Sequence, residues 1–211
     1  MPAKITQLLS IQDPQAIPMA AEIIAQGGLI VFPTDTIYGI AANPWCAPAI
    51  RDIYLAKQRP IEKAIPLLIG SFDQLNLITD RLNQRMLNLA SAFWPGSLTL
   101  ILPKKPGLPD EISQYPTLGV RMPDHPFTLA LLQCIGPLAT TSANISGSLN
   151  PLNAQDVLSQ LNGLVDLILD GGQTPGDRAS TVVDCTRDEL VILRQGPISL
   201  EALQEHWNAT S

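Results

Sequence analysis

Strand-like and helix-like segments alternate along this chain without a fixed repeat, which predicts an α/β fold on a mixed rather than purely parallel sheet. Two observations support that class. Several apolar runs are short, and the late turns "DGG" (170–172) and "RDEL" (187–190) read as hairpin connections. The composition, 45% hydrophobic and 15% charged over 211 residues, suits one compact core, so residues 1–211 are expected to form a single domain.

The elements follow in order. Asp13-Pro14 reads as an N-cap with proline in the first turn, opening a helix through "QAIPMAAEIIAQ" that Gly27-Gly28 stops and that Pro18 should shorten or kink. "LIVFP" is a buried strand, and "TDTIYGI" a polar loop leaving its C-terminal end, where open α/β sheets gather ligands. "APAIRDIYLAKQ" is a helix that Pro60 ends, because the residue before a proline is pushed out of the helical region. "AIPLLI" is a short strand, "DRLNQRMLNLASAFW" a helix capped by Asp80, and "SLTLILP" a strand entered through Pro95-Gly96. "PKKPGLPDEISQYP" is a long surface loop in which Lys104 and Lys105 are solvated. "TLGVRM" and "PLATTSA" are strands flanking the helix "HPFTLALLQC". A helix in "NAQDVLSQLN", strands in "LVDLILD", "STVVDC" and "ELVILR", and the amphipathic helix "SLEALQEHW" complete the chain.

Charge and composition exclude several functions. Thirteen Lys plus Arg against 19 Asp plus Glu give a net charge of −6, which argues against a surface that grips nucleic-acid phosphates along its length. Cys46, Cys134 and Cys185 are odd in number, far apart and without C-x-x-C, so they read as buried free thiols of a reducing compartment. The N-terminal segment lacks the pattern of a signal peptide. The uncharged stretch 126–155 is too broken by Gly, Pro, Asn and Ser to span a membrane, so a soluble, cytoplasmic protein is expected. Neither G-x-G-x-x-G after a strand nor G-x-x-x-x-G-K-[ST] occurs, and G-x-S-x-G is missing. His125 and His206 are the only histidines. The first reads as a turn residue capping the next helix, the second as incidental, which leaves a Ser–His–Asp hydrolase without a base.

What the chain does hold is a set of hydroxyl, amide and cationic residues near strand ends: "PTDT", "KQRPIEK", "TLGVR", "TTSANISG", Ser180-Thr181 and "LRQG". Each has a bland explanation, a cap or a solvated charge. Together, several cations and many neutral donors with few acids describe an oxyanion-rich ligand such as phosphate plus carboxylate.

In order along the chain, "FPTDTIYGIAANP", "KQRP", "FWPGSLTLIL", "GVRMPDHP", "TTSANISG" and "STVVD" with "ILRQG" resemble the YrdC-like threonylcarbamoyl-AMP synthases, from about Gly27 to Gly196. The resemblance implies a twisted open mixed sheet with flanking helices around a concave, locally positive cavity. It implies L-threonine, bicarbonate and ATP as substrates, threonylcarbamoyl-AMP and pyrophosphate as products, and Mg²⁺ carried by the nucleotide with no metal site of the protein's own. A downstream enzyme would transfer the threonylcarbamoyl group to the tRNA adenosine beside the anticodon, with at most weak RNA contact by this chain. Carried over by motif, Lys57 and Arg59 resemble the catalytic cations at the phosphates. Lys63, Thr117, Ser142, Asn144, Asn150 and Arg194, together with Arg59, resemble ATP contacts, and Thr36, Arg121, Thr140, Ser180 and Thr181 the threonine pocket, Arg121 meeting the carboxylate. The chain departs from some longer members in carrying Leu68 where they have a pocket histidine. It is also expected to be the short, single-domain form. Two other readings compete: an RNA-binding module without catalysis, disfavoured by the charge of −6, and the carbamoyl-adenylate handling of hydrogenase maturation, disfavoured by the length.

Overall fold

A computed structural model describes residues 4–176 and 179–208. Its centre is one mixed ten-stranded sheet in the order β1-β8-β2-β3-β7-β4-β6-β5-β9-β10. The strands are β1 (Gln7–Ser10), β2 (Ile30–Phe32), β3 (Gly39–Ala42), β4 (Leu67–Leu68), β5 (Leu98–Pro103), β6 (Thr117–Arg121), β7 (Leu138–Ser142), β8 (Leu167–Asp170), β9 (Thr181–Asp184) and β10 (Val191–Arg194). Helices α1 (Ala16–Ala25), α2 (Ala47–Lys57), α3 (Leu75–Ile78), α4 (Gln84–Phe93), α5 (Pro126–Ile135), α6 (Ala154–Leu161) and α7 (Leu200–Trp207) flank it.

The α/β class and the mixed sheet agree with the sequence reading, and local details differ for identifiable reasons. Gln15 rather than Asp13 precedes α1; Asp13 accepts the Gln15 N–H in a turn, which leaves Pro18 in the first helical turn, where a missing N–H is harmless. The cap of α4 is Asn83, whose side chain accepts the Met86 N–H, and not Asp80. Within "TDTIYGI" the last residues enter β3, which pairs antiparallel with β2, so this polar loop is a hairpin turn. β1, built from an N-terminal stretch with no strong strand pattern, adds to β8 in parallel register. The "RDEL" hairpin forms as β9–β10. "DGG" does not make one, because β8 pairs with β1 and β2; its glycines instead receive Tyr38, whose O–H donates to Gly172 O at 2.7 Å and accepts the Gly171 N–H at 3.0 Å. Of the three thiols only Cys185 is buried; Cys46 is half-buried and Cys134 exposed on α5.

The two faces of the sheet are covered unequally, and this positions the cavity. On one face α2, α4, α6 and α7 contribute Ile50, Ile53, Leu89, Val157, Leu161 and Leu203 to a cluster that also takes Val31, Ile168, Leu100 and Val120 from the strands. Each such fully buried aliphatic side chain is worth about 1.5–3 kcal/mol. On the other face α1 and α5 bring Ala20, Ile24, Leu131 and Leu132 against Ile30, Phe32, Leu167 and Leu169. Among the described residues this second cluster draws nothing from β5, β6 or β9. The helical layer therefore stops at β4, where it still reaches Leu68, and leaves the β6–β5–β9 half uncovered.

Candidate functional site

A cavity of about 410 Å³ occupies that uncovered half. Its floor is formed by side chains of one sheet face, Leu68, Thr99, Ile101, Arg121, Thr140 and Val182. Gly39 and Gly119 keep it open: a Cβ at Gly39 would lie 2.8 Å from Thr140 Cγ2, and one at Gly119 3.1 Å from Thr99 Cγ2. The turn after β2, the segment after α2, the loop after β7 and the residues preceding β9 supply the walls.

Three arginines converge here from separate parts of the chain. Arg59 follows α2 through Gln58, which takes the left-handed conformation (φ 50°) at the helix C-cap and swings the next residue away from the helix. Its Nε–H donates to Lys63 O at 3.1 Å and its Nη2 to Ala64 O at 3.0 Å, and Nη1 has no hydrogen-bond partner among the described residues. Arg121 ends β6 and is 7% exposed; Asp35 holds its Nη2 with both oxygens at 2.6 Å, and Thr36 Oγ1 accepts from Nη1 at 3.2 Å. Burial disfavours the charge of Arg121, and the adjacent Asp35 carboxylate supports it. Arg194, exposed at the rim on β10, donates through Nε and Nη2 to Ser180 O. Burial first and the nearby charge of Arg121 second lower its pKa, a sign that the two cations share one field.

Of the residues singled out in the sequence, Thr36, Arg59, Arg121, Thr140, Ser142, Asn150, Ser180 and Arg194 line this one cavity, as does Leu68. Five lie off its wall. Lys57 is 1% exposed at the last turn of α2, with Nζ donating to the backbone oxygens of Ser142 and Asn144 and, at 3.4 Å, to Asn144 Oδ1. Burial, and secondarily the charge of Arg59, push its ammonium down to about 7, while three acceptor oxygens and no donor around Nζ favour the proton. Asn144 completes the loop: its Nδ2 donates to Ile145 O and Ser148 O, and its Oδ1 accepts from Ser142 Oγ. Thr181 Oγ1 accepts the Gly196 and Ile198 N–H groups and ties β9 to the segment after β10. Thr117 lends its backbone oxygen to Ser113 Oγ, and Lys63 is exposed.

Sequence reasoning named the segment "PTDT" without a separate role for Thr34 or Asp35, and it passed over Thr99. Thr34 Oγ1 donates to Ile37 O and accepts the Thr36 and Ile37 N–H groups, which shapes the β2–β3 turn. A polar residue at an alternate position of the apolar strand "SLTLILP" was the available signal for Thr99. His125 caps α5, its ring nitrogen accepting from the Thr128 N–H at 3.4 Å, and burial pushes its pKa down. Lys104 pairs with Asp110 and Lys105 donates to Asn76 O, so the 103–116 segment is tied to the body. Among the described residues there is no group of three or more His, Cys, Asp or Glu that could hold a metal, and no helix long and apolar enough to cross a membrane.

A half-covered mixed sheet that presents three guanidiniums and a ring of hydroxyls to one cavity defines a class of protein: an α/β domain whose cavity is suited to a small oxyanionic ligand. The profile of the Sua5_yciO_yrdC family, described as telomere recombination, matches residues 22–196, and the chain belongs to that family. The threonylcarbamoyl-AMP synthase of Bacillus subtilis (strain 168) is 40% identical over 203 residues, covering 95% of this chain and 58% of the relative. The crystal structure of Pyrococcus abyssi Sua5 complexed with L-threonine superposes with a TM-score of 0.87 at 37% identity, covering 96% of this chain and 60% of that one. That of Escherichia coli YciO gives a TM-score of 0.81 at 28% identity and covers 96% and 100%. The chain thus spans little more than half the length of the Bacillus and Pyrococcus relatives.

Proposed function

We propose that this chain is an L-threonylcarbamoyladenylate synthase. The observation that carries the reading is the convergence of Arg59, Arg121 and Arg194 with Thr36, Thr140, Ser142 and Ser180 on one cavity, in a family with relatives named for that activity. Charge and size agree with a ligand made of an amino acid beside a nucleotide. L-Threonine would seat its carboxylate at Arg121 and Thr36, near Thr140 and Ser180. ATP would lie along Ser142, Asn150 and Arg194 with its phosphates at Arg59. Lys63, Thr117 and Thr181 border the same loops, and Lys57 with Asn144 fixes the strand end that presents Ser142.

The chemistry asks for alignment rather than a nucleophilic side chain. Bicarbonate-derived CO₂ and the threonine amine form a carbamate N–C bond with loss of a proton. A carbamate oxygen then attacks the α-phosphorus of ATP, the α–β bridging P–O bond breaks, and pyrophosphate leaves with the electron pair. The protein's share is to hold carbamate and phosphorus in line and to stabilise the growing charge with guanidiniums and hydroxyls. Mg²⁺ would travel with the triphosphate. A partial exclusion of water by the cavity protects the mixed anhydride. The product would pass to an enzyme that modifies tRNA, which fits a cytoplasmic location. No broad cationic face is needed for that, in keeping with a net charge of −6.

The test is pyrophosphate release with ATP, L-threonine and bicarbonate, each omitted in turn, and RNA added separately. Release that needs all three small molecules and ignores RNA is the expected result. Release without threonine, or none without RNA, overturns the reading.

A further inference from the structure

The chain leaving β8 is tied to the cavity walls several times before β9 begins. β8 and β9 each stand second from opposite edges of the sheet, so the connection between them has most of the sheet to cross. On the way Gly171 and Gly172 meet the phenol of Tyr38, Thr174 donates through its N–H and Oγ1 to Leu152 O at 2.7 and 3.1 Å, and the Gly176 N–H donates to Thr36 O at 2.9 Å. The two glycines permit the close approach. A Cβ at Gly171 would lie 2.7 Å from Pro33 Cγ, and Gly172 takes a left-handed φ of 77°.

Tyr38, fully buried, stands at the junction of three wall segments. Its backbone N–H donates to Pro151 O at 3.4 Å and its carbonyl accepts the Ala143 N–H at 2.8 Å, which binds the β2–β3 turn to the loop after β7. Of this residue, only the phenol reaches the third segment, 171–176. The hydroxyl has one proton, and Gly172 O receives it at 2.7 Å; the Asp170 carboxylate, 3.5 Å away, accepts the Gly172 N–H at 2.9 Å instead. Burial first, with the nearby charge of Asp170 behind it, pushes the phenol up to about 12 and keeps that proton in place. Among the described residues the hydroxyl bonds no side chain of the cavity, so its part in the site is mechanical.

We propose that Tyr38 is a positioning residue for the amino-acid substrate: its phenol clasps segment 171–176 against the β2–β3 turn, and the clasped segment, through Gly176, fixes Thr36 where it accepts from Arg121. A turn that is held in place before binding has less freedom to lose when the ligand arrives, so the clasp acts on affinity rather than on the chemical step. The nucleotide side is held differently. Tyr38 meets the loop after β7 through its backbone alone, and a change at the hydroxyl leaves those bonds intact. The inference rests on the cavity being an L-threonine site.

Tyr38→Phe removes the hydroxyl and keeps the buried ring. Amide hydrogen exchange without ligand reads the clasp, and pyrophosphate release reads the site. Exchange at Gly171, Thr174 and Gly176 should quicken about ten-fold, as expected for losing two hydrogen bonds, and saturating L-threonine should restore much of the protection by linkage. The KM for L-threonine should rise about 5- to 30-fold, while kcat and the KM for ATP stay within about two-fold of wild type. Faster exchange with an unchanged KM for L-threonine overturns the inference, since the phenol would then serve the fold alone. Unchanged exchange, or equal rises in both KM values, overturns it as well. Should Tyr38→Phe not fold, Gly171→Ala is read by the same criteria, because its Cβ would push the segment off Pro33 and away from the phenol. A wild-type protein whose pyrophosphate release ignores L-threonine overturns the reading of the site itself and the inference with it, and exchange in the absence of ligand shows separately whether the clasp holds.

Discussion

Arg59 and Lys57 are two residues apart, yet they belong to different regions of the molecule. Arg59 reaches the cavity with its Nη1 uncommitted among the described residues. Lys57 lies behind the loop after β7, with every contact of Nζ a carbonyl or amide oxygen. The left-handed Gln58 between them sends one side chain to the wall and the other beneath it. A cation with open donors is available to a ligand, whereas one saturated by backbone oxygens shapes the protein that meets the ligand. Sequence proximity and like charge say nothing about which is which.

The comparison breaks most visibly at Arg59. Arg59→Ala should reduce pyrophosphate release by about 100-fold or more, as for removal of a preorganised donor at a developing charge, with the unfolding midpoint within a few degrees of wild type. An unchanged rate would move the phosphates elsewhere in the cavity. The next largest effect falls on stability. Lys57→Met leaves the oxygens of Ser142 and Asn144 buried without their donor, at a cost of about 3 kcal/mol, or roughly 6–12 °C in Tm for a chain of this size. It should also slow turnover by unseating Ser142. A Lys57→Met protein that is as stable as wild type but inactive would instead make Lys57 a direct ligand contact.

A pH series sharpens the same contrast. The Lys57 ammonium is lowered to about 7 in the fold from an ordinary 10.5. Between those values the unfolded chain binds the extra proton and the native state does not, so the unfolding free energy contributed by Lys57 rises with pH. Below about 7 both states are protonated and the penalty is constant. The Tm of wild type should therefore climb relative to Lys57→Met between pH 7 and 10. A flat difference would show that the three oxygens keep Lys57 charged throughout. The smallest effect belongs to the third cation of the segment: Lys63→Ala, at an exposed side chain, should change stability by less than about 0.5 kcal/mol and alter turnover only through the KM for ATP.

Much of the fold was legible because its signals are local. Pro60 after α2, the apolar runs of β2, β5 and β8, and the cap of His125 on α5 all act within a few residues. β1 and the fate of Gly171-Gly172 were not legible. Each depends on β8 choosing β1 and β2 as partners, and that choice is made between segments more than a hundred residues apart in the chain. The site divides in the same way. The residue types at Thr36, Arg59, Arg121, Ser142, Ser180 and Arg194 pointed together to one cavity suited to an oxyanion, although each alone could be a cap or a solvated charge. Asp35 and Thr99 stayed hidden because their parts depend on the atoms opposite them.

The amino-acid sequence by itself determined the class of fold and the approximate run of helices and strands, and it carried the cations and hydroxyls that suit an oxyanionic ligand, because periodicity, punctuation and side-chain charge are written residue by residue. Only the tertiary structure decided which cations face the cavity, that Asp35 pairs with Nη2 of Arg121, and that the hydroxyls of Thr99 and Ser180 meet at 2.7 Å. The physical reason is that hydrogen-bonding capacity is a balance over neighbours in space: a donor is free or spent according to what the fold sets within 3 Å of it.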